Sequence, residues 1–63
     1  MIIRKKPNNL MDYYIVDSDM SVILHSNGYQ PKYMSMDGSR YYYKKTESIT
    51  EFINKNNLIV LDS

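Results

Sequence analysis

The chain has no cysteine and no tryptophan, one histidine, and only two glycines and two prolines among its 63 residues. The absence of cysteine excludes disulfides and thiolate metal sites. His25 alone cannot build a zinc site, and no carboxylate cluster has the spacing of a calcium loop. Neither GxGxxG nor a Gly-Lys-Ser/Thr motif occurs, so nucleotide chemistry has no sequence support. The longest apolar runs, Leu58-Ile59-Val60-Leu61 and Val22-Ile23-Leu24, fall far short of the roughly 18 residues that a membrane span needs. The basic start Arg4-Lys5-Lys6 leads into Pro7-Asn8-Asn9 rather than an apolar stretch, which argues against a secretory signal. The expectation is a cytoplasmic protein with no membrane contact, no cofactor, no metal and no small-molecule substrate.

Length sets the next bound. A chain of 63 residues forms at most one domain, which buries only about 60% of the surface that its unfolded form exposes. Cores of this size seldom supply more than about 3–5 kcal/mol, and small natural domains add disulfides, metals or association. With the first two set aside, self-association as a homodimer or a partner is expected. Eight Lys and Arg against seven Asp and Glu leave a net charge of +1, without the strong basicity of a dedicated nucleic-acid binder. Usage rich in Ile, Asn, Lys and Tyr points to an AT-rich genome, such as that of a low-GC bacterium or its phage.

Residues 1–11 read as an N-terminal arm or short strand, and residues 12–63 as one small α+β domain. Tyr13-Tyr14-Ile15-Val16 has the aromatic and β-branched composition of a strand. Asp17 or Ser18 can cap a helix, with Met20, Ile23 and Leu24 at helical spacing and Asn27-Gly28 to close it. Segments 29–36 and 39–45 flank Asp37-Gly38, which predicts a hairpin with a two-residue type I′ loop. Counting back from that turn sets Met34 against Tyr41 and Tyr33 against Tyr42. Ser48-Ile49-Thr50-Glu51 has the form of a capping box, and Ile49, Phe52 and Ile53 line one side of the helix it would start. The apolar run 58–61 fits a strand buried on both faces or paired across an interface. The predicted order is β-α-β-β-α-β, with a central Asp-Gly hairpin and two short helices packed on one face of the sheet.

The run Tyr14-Ile15-Val16-Asp17-Ser18-Asp19-Met20, then Ile23-Leu24, Asn27-Gly28-Tyr29 and Arg40-Tyr41-Tyr42-Tyr43 before a short helix, resembles a family of uncharacterised small domains from phages and prophages of Gram-positive bacteria. The resemblance covers residues 12–56; Lys45 departs from it, standing where that family has an apolar or aromatic residue. It implies a setting in phage or mobile-element biology, where proteins of this size often act as stoichiometric inhibitors of host enzymes. It transfers no functional residue.

Catalysis finds little to work with. A nucleophilic mechanism needs a nucleophile, a base and an orienting group, and His25 sits in the last turn of the first predicted helix, where a cation suits the helix dipole. Asp17 and Asp19 read as helix-start residues. Binding is better supplied, by seven tyrosines, a residue type enriched at interfaces. Alternation along the hairpin puts Met34, Met36, Tyr41 and Tyr43 on one face and Tyr33, Ser35, Arg40, Tyr42 and Lys44 on the other. If the first set is core, then Tyr33, Arg40, Tyr42 and Lys44 form the candidate protein-binding surface, an aromatic pair beside arginine as in interface hot spots. The same composition also suits base stacking in a nucleic-acid site. The expected function is a non-catalytic interaction module, a stoichiometric inhibitor or adaptor of a host nucleic-acid-processing or defence enzyme. The alternatives are a direct nucleic-acid binder and a structural component of a phage particle.

Overall fold

Strands β2 (Tyr13–Val16) and β4 (Tyr41–Lys44) form where aromatic and β-branched residues are densest, because such side chains pack well on a pleated surface. They pair antiparallel, Ile15 opposite Tyr42 and Val16 opposite Tyr41. Two shorter strands complete a four-stranded mixed sheet in the order β1-β3-β4-β2: β1 (Ile3–Arg4) runs parallel to β3 (Tyr33–Met34), and β3 runs antiparallel to β4. Helices α1 (Ser18–Ser26) and α2 (Glu47–Lys55) follow β2 and β4. This architecture comes from a computed structural model that describes residues 2–61.

Both helices lie on one face of the sheet. Leu24 of α1 and Ile49 and Ile53 of α2 close over Val16 and Tyr43, with Tyr14, Met20, Tyr29, Tyr41, Phe52 and Leu58 at the margins. Hydroxyl groups tie the layers together: the Ser21 and Tyr43 hydroxyls meet at 2.7 Å within the core, where the Tyr43 hydroxyl also reaches the Ser21 carbonyl at 3.3 Å, and Tyr14 meets Thr50 at 2.9 Å nearer the rim. The opposite face carries a second, smaller core of Tyr13, Ile15 and Tyr42, covered by Leu10 from a short 3₁₀ turn, Tyr33 and Leu61.

Several local expectations are corrected. β3 and β4 pair Tyr33 with Tyr42 and Met34 with Tyr41, but their connection is not a two-residue type I′ loop. That turn needs positive φ at both central residues, and Gly38 has φ +77° while Asp37 is not among the positive-φ residues. The chain instead makes a wider loop closed by Ser35 N–H donating to the Arg40 carbonyl at 2.9 Å, with Gly38 N–H donating to the Ser35 carbonyl inside it. The Asp37 carboxylate holds this loop, accepting from Ser39 N–H and from the Ser35 and Ser39 hydroxyls. At α2 the N-cap is Thr46, whose hydroxyl accepts from Ile49 N–H, so the helix starts before Ser48 and the expected capping box does not form. In α1 the cap is Asp17, accepting from Met20 N–H at 2.9 Å. Ser21 rather than Ile23 completes its inward stripe, since the serine hydroxyl has a tyrosine partner to meet.

The largest correction concerns run 58–61. Asn57, with φ 52°, ends α2 and redirects the chain, and Leu58 N–H bonds back to the Ile53 carbonyl. Only Leu61 then reaches the sheet, bridging Ile15 antiparallel. Continuing that register would set Ile59 opposite Asp17, where β2 has already given way to the cap of α1. The sheet therefore has no backbone to offer Ile59, which is left 70% exposed, so the run is not a strand buried on both faces.

Candidate protein-binding face

Helix α1 is short and carries four apolar residues, Met20, Val22, Ile23 and Leu24, among five polar ones. Met20, Ser21 and Leu24 face the sheet; a rotation of about 100° per residue turns Val22 and Ile23 outward, Val22 to 65% exposure. Beside α1 lies β1, the sheet edge opposite β2, where Ile2 and Ile3 are also exposed. Between helix and edge runs an open groove of about 300 Å³, lined by Ile2, Ser21, Val22, His25, Pro31 and Tyr41, with Ser18 and Ser26 at its ends. Arg4, Lys5 and Lys6 continue exposed from β1, so the apolar strip has a basic flank.

The residues singled out from sequence are placed differently. Tyr33 and Tyr42 do share a face, as a directly opposed pair. Tyr42, however, is only 5% exposed, beneath Leu10 and Leu61, so the face expected to be open is a second core. Tyr33 is half-buried and meets the Tyr13 ring edge-on at 5.4 Å. Lys44 is exposed but engaged, its Nζ 3.7 Å from Asp12 and 5.3 Å from the centre of the Tyr13 ring. Arg40 is exposed at the other end of β4, beside the loop. The four residues thus form no continuous surface. What sequence alternation missed was the chain segment on each side: Leu10 and Leu61 stand in stretches without strand periodicity, and no local signal announces that they fold over Tyr42. A signal for α1 was present only at Val22, which falls off the stripe drawn through Met20, Ile23 and Leu24; the exposure of Ile23 runs against that stripe.

Two ionisations are displaced, each for a structural reason. The backbone N–H and hydroxyl of Ser39, with the Ser35 hydroxyl, hold the Asp37 carboxyl down at about 2. Burial pushes the Tyr43 phenol above its usual 10.0, partly offset by the Ser21 hydrogen bond. Both serve the fold, one in the loop and one in the core. Among the described residues no group of three or more His, Cys, Asp or Glu side chains comes together as a metal site, and no helix is long and apolar enough to cross a membrane. No protein family, curated protein or solved structure matches the chain.

Proposed function

We propose that this chain is a non-catalytic protein-interaction module, and that it engages its partner through the outer side of α1 and the adjoining β1 edge. The observation that carries this reading is the exposure of Val22 on a packed, capped helix, with Ile2 on the other wall of the same groove. Contiguous exposed apolar residues with a polar rim are the usual mark of an interaction site. The partner is a protein with an apolar ridge to enter the groove and acidic residues to face Arg4, Lys5 and Lys6. Inhibition of a host nucleic-acid-processing or defence enzyme in a phage setting is the narrower form of the proposal, and it rests on the resemblance alone.

Direct nucleic-acid binding draws less support. A tyrosine buried as deeply as Tyr42 has no ring face to stack on a base, and Lys44 is occupied by Asp12 and Tyr13. The test is retention of proteins from a nuclease-treated lysate of a low-GC bacterium on the immobilised chain, beside Val22→Glu and Arg40→Glu variants. A stoichiometric protein held by the parent and by Arg40→Glu, and lost by Val22→Glu, is the expected result. Should only untreated lysate yield a bound species, and that species be nucleic acid, the interaction-module reading falls.

A further inference from the structure

The run Leu58-Ile59-Val60-Leu61 lies on the far side of the molecule from β1, along the β2 edge. Its backbone is tied to the protomer at its two ends, by Leu58 N–H donating to the Ile53 carbonyl and by Leu61 at its bridge to Ile15, where Leu61 N–H donates at 2.7 Å. Because successive residues of an extended chain point their N–H and C=O groups to opposite sides, the inward set of Leu61 turns that of Val60 outward, away from the sheet. Ile59 is 70% exposed and Met11, close by across a groove shared with Val60 and Leu10, is 83% exposed. An uncharged β-prone segment with open backbone groups is a template for another strand.

We infer that the occupant of this edge is a second copy of the same chain, paired antiparallel about a two-fold axis through Val60. In that register each Val60 donates its N–H to the Val60 carbonyl of the other copy, and Ile59 of each faces Leu61 of the other. Three features select a second copy over an unrelated strand. First, the two-fold requires only that the segment be complementary to itself, and an apolar run with no charge meets itself without like-charge cost. Second, the chain has no disulfide to reinforce a core of this size, and association is one of the usual remedies. Third, the large apolar side chains that this edge leaves exposed, Ile59 and Met11, lie beside Val60, where the pairing would cover them. The pairing joins two sheets edge to edge and leaves α1, β1 and the proposed partner face free on both copies.

Sedimentation equilibrium over a wide concentration range tests this. The parent is expected at twice the 7.5 kDa protomer mass, as a discrete closed species. Val60→Pro removes both reciprocal N–H donors while leaving the Leu58 and Leu61 bonds of each protomer in place, and is expected to raise the dimer dissociation constant roughly thirtyfold or more. Ile59→Lys, at a position where the protomer asks nothing of the side chain, gives the same shift with unchanged circular dichroism and serves if proline disturbs the fold. Val22→Glu leaves the dimer intact, which separates this inference from the partner face. A parent that stays monomeric at millimolar concentration overturns the inference. So does an open-ended assembly, or a dissociation constant unmoved by Ile59→Lys.

Discussion

The two helices are the same length and pack on the same face of the sheet, yet they treat water differently. On α2 the outward positions are Glu47, Ser48, Glu51, Asn54 and Lys55, all polar and exposed; on α1 they include Val22 and Ile23. Their inner faces are alike, for Leu24 on one and Ile49 and Ile53 on the other meet the same Val16 and Tyr43. Stability thus asks of both helices the same inner stripe, and only α1 carries exposed apolar residues beyond it. The difference separates what folding needs from what it leaves over, and the surplus on α1 is the reason to look there for a partner.

If the inner faces are equivalent, then Leu24→Ala and Ile49→Ala should be about equally damaging. Each removes a fully buried aliphatic side chain, which costs about 2–5 kcal/mol, comparable to the whole stability of a domain this small. Both variants should lose cooperative thermal unfolding. A mild effect at Leu24 alone would show that α1 is an accessory to a core built by α2, and would break the comparison at its root.

The hydroxyl ties to the sheet sharpen the contrast from inside. Tyr43→Phe leaves the buried Ser21 hydroxyl without its partner, at a cost of about 1–3 kcal/mol, whereas Tyr14→Phe at the rim should cost about 1 kcal/mol because water can replace the lost bond. Chemical denaturation of the pair reads the difference. The Tyr43 phenol also gives a pH test. Its folded pKa is raised by burial above the usual 10.0, so its contribution is fully present below pH 10 and is lost as pH climbs through the raised value. Tyr43→Phe should therefore flatten the alkaline limb of the stability curve and leave the neutral and acid limbs parallel to the parent; an unaltered alkaline limb would place the phenol outside the core.

How much of this was legible in the residues follows the same division. Elements whose signals are local came through: β2 from its β-branched composition, α1 from Asp17, the strand pairing of Tyr33 with Tyr42. The loop beyond that pairing did not: Asp37 is outside the positive-φ region and its carboxylate accepts from three groups of Ser35 and Ser39, contacts that the Asp-Gly pair alone does not announce. The exposure expected of Tyr42 was lost for a different reason. Tyr42 alternates as a solvent-facing residue should, and its burial is decided by Leu10 and Leu61, residues more than fifteen positions away on either side. Alternation records that two faces exist, while the number of segments left over to cover them is a property of the whole chain.

At the helix starts the comparison predicts a smaller gap. Asp17 accepts from Met20 N–H at 2.9 Å and Thr46 from Ile49 N–H at 3.3 Å, and the aspartate adds its charge to the favourable end of the helix dipole. Replacing either cap with alanine should cost about 1 kcal/mol, with Asp17→Ala the larger. Equal losses in urea titrations would mean that the carboxylate charge adds nothing to the cap.

The smallest expected effect bears most directly on function. Val22 is largely exposed, and surface substitutions away from caps and cores usually stay within about ±0.5 kcal/mol. Val22→Ser should therefore leave the melting temperature of the isolated chain nearly unchanged, as Glu51→Ser should on the matching outer side of α2. The two differ only in what they remove, an apolar surface in one case and a solvated charge in the other. Binding to a protein partner should be weakened by Val22→Ser and untouched by Glu51→Ser. A clear loss of stability from Val22→Ser would mean that this side chain already has a use within the fold, and the outer face of α1 would then resemble that of α2 in having nothing to spare for another molecule.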